Sequence, residues 1–439
     1  MVGRRDAGLV RAMGPWVLAA SIVNVVVGGG IFAVPSALSA AAGPYAPLVF
    51  LVCAIVVGCV AICFAEAGSR VPTSGGPYGT IEAAFGPLAG YTSGTLLWVS
   101  DVLACGGITA ALADTATASV PDAARGPAHV AVVFLVIGAI ATVNLTGVAR
   151  AARIVSVATA VKLVPLAVFV LAGVAAVRAP LLTEPVAPGN GDFGRALMLA
   201  LFTFTGMECA LGASGEAAQP SRTIPRALAI SMCSVTLLFV AVQVIAQGLM
   251  GASLAQSPAP LADAMASLHP ALRVLMLAGA AVSMLGWIGS DILGSPRIVF
   301  ALARDGWLPR RLAAVHPRTH VPHVAIVCYA GVAVVLALSG TFAELAVLAA
   351  LAMVPIYVGG CAAAWTLRRR GVALAGAPLG FRGLGAAALI GIAGTLAIGA
   401  LASRVEMAGL MALLAVCAST YVLLSPRAAR LRAAAQDET

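Results

Sequence analysis

One lysine occurs in the chain, Lys162, and it lies inside the apolar run 154–171; every other member of the 26 basic residues is arginine. A protonated amine near the centre of a bilayer costs ~3 kcal/mol on insertion scales and needs a partner or a role. Lysine, unlike arginine, can give up its proton when desolvated. Lys162 is therefore a candidate proton carrier, set against the plainer role of a charged strut between helices. Two carboxylates stand in similar surroundings. Glu208 follows Phe204, Thr205, Gly206 and Met207, and reads either as a gate or amine acceptor, or as a neutral acid bonded to a neighbouring helix. Asp291 closes Trp287-Ile288-Gly289-Ser290-Asp291 and, facing the same cavity as Glu208, would favour a cationic solute. Asp101 and Asp114, 13 residues apart, are either pathway residues or packing residues on a common helix face. The nine cysteines show no metal-ligand spacing with histidine and read as packed free thiols. The five histidines fall in loops or at span ends, which speaks against a histidine relay through the membrane.

These groups need elements that hold them in hydrocarbon, and the composition supplies such elements. Of 439 residues, 61% are hydrophobic and 10% charged, with a mean hydropathy of +1.02. A soluble domain of this size carries roughly a quarter charged residues, so the chain reads as an integral membrane protein. Apolar stretches of about 20 residues, enough to cross roughly 30 Å of hydrocarbon, recur throughout. Twelve are expected: 13–41, 45–67, 85–118, 129–148, 151–177, 194–214, 224–250, 271–294, 322–340, 343–367, 383–402 and 406–425. The connections leave no room for a soluble domain, and the start, with Arg4, Arg5 and Asp6, lacks a cleavable signal pattern. With the N-terminus inside, only Arg125, Arg178, Arg195, Arg273 and Arg404 fall outside, so the positive-inside rule favours cytoplasmic N- and C-termini. The net charge of +9 then reports topology, and no nucleic-acid partner is implied.

Two spans are interrupted. The first contains Val27-Gly28-Gly29-Gly30-Ile31, and each glycine of such a triplet weakens a helix by about 1 kcal/mol. The sixth contains Phe202-Thr203-Phe204-Thr205-Gly206, a polar and glycine break; glycine is also common in membrane helices for close packing. Breaks five spans apart suit an inverted repeat. Unwinding exposes N–H groups that attract a carboxylate and carbonyls that attract an ammonium, so a zwitterion suits the pair. Unwound backbone is not tolerated against lipid, so both breaks should line a cavity.

The stretch from Asn24 through Gly28-Gly29-Gly30 to Pro35 resembles the first-helix signature of the amino acid-polyamine-organocation superfamily. Matching motifs follow in order: Phe64-Ala65-Glu66, Ser69 to Tyr78, Val161-Lys162-Leu163-Val164-Pro165, Phe204 to Glu208, Gly215-Glu216, Thr223 to Ala227, Pro296-Arg297 and Ala301 to Pro309. The resemblance covers about residues 13–370. It implies an all-α polytopic membrane protein with a LeuT-like 5+5 inverted repeat, repeat one about 13–177 and repeat two about 194–367. Helices 11 and 12, about 383–425, complete a twelve-helix transmembrane domain spanning 1–439. By position, Val27, Gly28, Gly29, Gly30 and Ile31 resemble the carboxylate site, and Phe202, Phe204, Thr205 and Gly206 the amine site. Asp101, Asp291 and Ala350 would shape the side-chain pocket, and Gly75, Gly76 and Tyr78 resemble a cytoplasmic conformational motif. Lys162 resembles the lysine that replaces a sodium ion in some proton-coupled members. It would donate to carbonyls near Val26 or Val27 and to Ser283 or Ser290. Asn24 is expected to bond across helices.

The resulting expectation is a plasma (inner) membrane transporter that imports an amino acid or related amine by alternating access. Its partners are the solute, a proton and the lipid bilayer, with Lys162 as coupling residue, Glu208 as gate and no cofactor. An amino acid or polyamine exchanger with a structural Lys162 is the alternative within transport. A non-transporting sensor or accessory subunit is the rival outside it. An enzyme is disfavoured, since no nucleophile or metal-ligand constellation occurs in the spans.

Overall fold

A computed structural model describes residues 14–71, 76–117, 121–147, 162–184, 192–212, 219–374 and 377–437. Among the described residues the regular structure is helical, without strands. In chain order the helices are α1 (Pro15–Val26), α2 (Gly30–Ala42), α3 (Ala46–Arg70), α4 (Gly76–Phe85), α5 (Pro87–Thr117), α6 (Asp122–Leu145) and α7 (Lys162–Val174). There follow α8 (Phe193–Phe204), α9 (Cys209–Gly212), α10 (Pro220–Met250), α11 (Pro260–Ala266), α12 (Pro270–Gly294) and α13 (Pro296–Arg304). The last four are α14 (His323–Ser339), α15 (Phe342–Arg369), α16 (Leu384–Gly399) and α17 (Arg404–Asp437).

Proline is the first residue of α1, α5, α10, α11, α12 and α13. Its fixed φ suits a helix start, and its missing N–H is one that the first turn could not have bonded. The start of α15 is closed by a capping box, in which Thr341 Oγ1 accepts from the Glu344 N–H at 3.3 Å and Glu344 Oε2 accepts from the Thr341 N–H at 2.9 Å.

Seven helical stretches are long and apolar enough to cross a membrane: 30–70, 87–117, 124–145, 220–256, 270–304, 342–369 and 404–424. Five shorter apolar helices, α1, α7, α8, α14 and α16, stand beside them. The segments expected from the sequence overlap these helices; the first and sixth are in two pieces, and the stretch 30–70 holds the end of the first together with the second. The first half of the fifth, with Arg153, lies outside the described residues, as do residues 72–75, Gly215 and Glu216. Three helices fall where the sequence suggested only connections: α4, α11 and α13.

The packing divides the helices into two groups. In one, α10 lies against α3 and α1, and α8 against α2 and α3; in the other, α5, α6, α12 and α14 pack on one another. The long helix α15 touches both, against α5 on one side and α3 and α8 on the other. At one end of α3 a buried ion pair fastens the chain leaving α15. Arg70 Nη2 lies 2.7 Å from Glu66 Oε1, and Arg70 Nη1 donates to the Val372 carbonyl at 3.1 Å. The Phe381 N–H donates to Glu66 Oε2 at 3.0 Å, and the Leu379 N–H to Ser69 Oγ at 3.1 Å. A buried pair of this kind is tolerated because the remaining carboxylate and guanidinium groups are hydrogen-bonded.

Candidate functional site

The first break spans residues 27–29, between α1 and α2. The Val27 N–H still reaches the Val23 carbonyl at 2.8 Å, but the Gly28 N–H turns back to the Val26 carbonyl at 2.8 Å. The helical partner of the Asn24 carbonyl would have been that Gly28 N–H, so the turn strips Asn24 of its acceptor bond. Glycine is required at 28 because a Cβ there would stand 2.3 Å from Trp287 Cδ1. Helix α2 then restarts at Gly30, and its opening N–H groups have no intrahelical acceptor. Pro35, one turn further on, cannot donate to the Ile31 carbonyl.

The second break follows Phe204. The Phe202 carbonyl accepts from both the Thr205 N–H, at 3.1 Å, and Thr205 Oγ1, at 2.6 Å. Gly206 adopts a φ of +104°, in the region glycine favours, and a Cβ on it would lie 2.8 Å from Val25 Cγ1. The two breaks are thus pressed together. Glu208 folds back on its own loop, Oε1 accepting from the Gly206 N–H at 2.9 Å, while Tyr357 on α15 donates to Oε2 at 3.3 Å.

Between the breaks and the α5–α12 wall lies a cavity of about 410 Å³. Asn24, Val26, Gly28, Gly30 and Ile31 line it from the first break, and Phe202, Thr203, Thr205, Gly206 and Glu208 from the second. Ser100, Asp101 and Ile108 on α5 and Trp287, Ser290 and Asp291 on α12 form the opposite wall. Lys162 reaches it from α7, and the cavity runs on to Gly76, Pro77, Tyr78 and Ile298.

The sequence had grouped several residues that the structure separates. Val27 and Phe204 are fully buried in the core, and Gly29 is packed against Ile108 and Met284; none of the three lines the cavity. In a broken helix successive residues still point to different sides, so a contiguous motif cannot all face one space. Ala350 is buried within α15, also away from the cavity lining. Asp114 is 57% exposed, lies 3.1 Å from His129 Nδ1 and does not line the cavity with Asp101.

The expected contacts of Lys162 also need correction. Its Nζ donates to the Asn24 carbonyl at 2.5 Å, not to Val26 or Val27, whereas the Ser283 hydroxyl donates to the Gly28 carbonyl at 3.4 Å. The physical reason is the missing helical bond described above: Lys162 supplies the donor that Gly28 withholds. Its ammonium also sits at the C-terminal end of α1, where the helix dipole favours positive charge. Lys162 is 3% exposed, and among the described residues no carboxylate lies within ion-pair distance of it. The Asn24 side chain was expected to bond across helices; instead its Oδ1 is buried without a partner, in a residue that lines the cavity.

Two residues were missed altogether. The Ser295 hydroxyl lies 2.6 Å from Asp101 Oδ2 and 3.0 Å from Asp291 Oδ1, and Tyr329 on α14 donates to Asp291 Oδ2. Neither Ser295 nor Tyr329 carries a local signal, since each acts only through helices that meet in space.

Apolar membrane-length helices around a mostly apolar cavity between two interrupted helices are the build of a multi-pass membrane protein. The chain belongs to the amino acid permease family, whose model matches residues 13–422. That family's model is described as an amino acid permease, and similar proteins carry transporter names. It is 34% identical over 308 residues to an uncharacterized transporter of Mycobacterium tuberculosis strain H37Rv, covering 67% of this chain and 66%, just under two thirds, of that relative. It is 26% identical over 353 residues to the branched-chain amino acid permease BcaP of Bacillus subtilis, covering 73% of each. The large neutral amino acids transporter small subunit 2 of Oryctolagus cuniculus is 28% identical over 355 residues, 74% of this chain and 63% of that protein.

Proposed function

We propose that the protein moves an amino acid or related amine across the plasma membrane by alternating access, with Lys162 coupling the cycle to protons. The observation that carries this reading is the bond of the Lys162 ammonium to the Asn24 carbonyl, at the end of a helix broken by the binding site. Protonated, Lys162 completes the C-terminus of α1 with a charged hydrogen bond, a kind worth about 1.5–3 kcal/mol; neutral, it gives that bond up. Proton supply therefore biases the position of the inner half of the first span. The twelve apolar segments are read as twelve crossings, with repeats 13–177 and 194–367, two further helices and both termini cytoplasmic.

In this reading the substrate carboxylate meets the opening N–H groups of α2 at Gly30 and Ile31. The ammonium meets the unwound second break. Thr205 already occupies the Phe202 carbonyl, so the amine is left to neighbouring carbonyls of that segment. The side chain lies against Ile108, Phe202 and Trp287, which line the same cavity. Relatives named for branched-chain and large neutral amino acids support an apolar side chain there.

One observation favours the rival within transport: the same Lys162 bond would serve a permanently charged strut in an exchanger. Substrate counterflow without a pH gradient separates the two. The broader test is thermal stabilisation of the purified protein across amino acids and polyamines. A ligand at 100 times its Kd adds about 2.7 kcal/mol to the folded state and raises the melting point. A full panel that produces no shift, and no uptake in proteoliposomes, contradicts the reading and revives the non-transporting sensor.

A further inference from the structure

We infer that Asp101, Ser295 and Asp291 hold one exchangeable proton between the two carboxyls, a proton site on the opposite cavity wall from Lys162. The inference comes from counting hydroxyl protons. Ser295 has one, and its oxygen lies 2.6 Å from Asp101 Oδ2 and 3.0 Å from Asp291 Oδ1. Tyr329, whose ring is fully buried, has one and gives it to the other oxygen of Asp291. Three close oxygen contacts therefore share two hydroxyl protons, and one contact is left with none. Were both carboxyls ionised, Ser295 would face one of them with only a lone pair. Two negative charges would also sit within reach of one hydroxyl in a site where like charges repel strongly. A third proton resolves both: the carboxyl that Ser295 does not donate to donates to Ser295 instead. All three residues line the cavity, so this proton is reachable by water and by substrate.

The surroundings leave the proton where the geometry puts it. Cys105 adjoins Asp291 from α5, and Glu208 faces the pair from the second break, already bonded to Gly206 and Tyr357. Lys162 and Tyr78 border the same cavity, but Lys162 is bonded to Asn24. On α6, which also packs against α12, His129 pairs with Asp114; Arg297 lies beyond Ser295 on α13. No residue of this set forms a salt bridge with Asp101 or Asp291 among the described residues. Without a cation on the pair, the proton is the charge that balances it. Substrate or conformational change that parts α5 from α12 separates the carboxyls and frees the proton to the cavity.

The presence of this proton does not depend on the transport reading, although its use in a cycle does, and the experiment separates the two. Infrared difference spectra of the purified protein carrying Glu208→Gln, which removes the other candidate acid, are recorded in H2O and D2O. A protonated carboxyl C=O band that shifts in D2O is expected at neutral pH. It should vanish in both Asp101→Asn and Asp291→Asn, because each leaves one carboxyl with its own hydroxyl donor. A missing band, or one unchanged in both variants, overturns the shared proton. Should an Asn variant fail to assemble, the pH titration of the band in the Glu208→Gln protein decides the matter. In proteoliposomes under an inward gradient of one pH unit, loss of a carried proton lowers limiting accumulation about tenfold in Asp291→Asn. Unchanged accumulation with the band lost overturns the carrying role and leaves a fixed proton. A band without any substrate-induced stabilisation places the failure in the transport reading instead.

Discussion

At the scale of single residues the site depends on which backbone bond the first break removes. Lys162 was legible in the sequence because a lone lysine in an apolar run is costly. Its partner was not legible, since the Asn24 carbonyl is free only because the Gly28 N–H turns to Val26. Gly28 itself offers a sharp test. In Gly28→Ala the added Cβ meets the Trp287 ring at 2.3 Å, and overpacking of this kind costs about 1–3 kcal/mol. A lower thermal midpoint and weaker ligand stabilisation are expected, and Gly28→Ala with Trp287→Phe should recover part of both. An unaltered midpoint and affinity in Gly28→Ala would mean that the close approach of α12 to the break is absent. The Asp101–Ser295–Asp291 contacts were hidden for a different reason: the two aspartates are far apart in sequence, and only the meeting of α5 and α12 joins them.

At the scale of elements, periodicity and length revealed the long apolar helices, while the short ones escaped. Helices α11 and α13 have 7 and 9 residues, too few for an apolar period to stand out from a loop. Both breaks were legible as glycine-containing interruptions, yet the side to which each residue points was not. Val27, Gly29 and Phe204 were therefore assigned to a space they do not line. The Glu66–Arg70 pair belongs to this scale, because it joins the end of α3 to the chain between α15 and α16. Glu66→Ala strands a buried guanidinium, and breaking such a pair by removing one partner costs about 3–5 kcal/mol. A marked fall in the thermal midpoint of Glu66→Ala is expected. It should be larger than in Glu66→Gln, which retains an acceptor for Arg70 and for the Phe381 N–H. Equal midpoints for wild type and both variants would show that this junction contributes nothing to stability.

At the scale of the whole molecule, two packed groups of helices with α15 lying against both leave a mostly apolar cavity, with Asp101, Glu208 and Asp291 in its lining, where the breaks meet. An even number of crossings requires N- and C-terminal tags to be protected on the same, cytoplasmic, face of intact cells; tags on opposite faces would contradict it. Because Lys162 is the only lysine, amine-reactive labelling reports on it and on the N-terminus alone, and bound substrate should slow the reaction at Lys162. The most direct measurement is pH-driven accumulation in proteoliposomes by wild type and Lys162→Met, alongside substrate-induced thermal stabilisation of both. Accumulation abolished in Lys162→Met with stabilisation retained is the expected result. Accumulation that persists at the wild-type level in Lys162→Met would contradict proton coupling through the amine that caps the broken first helix.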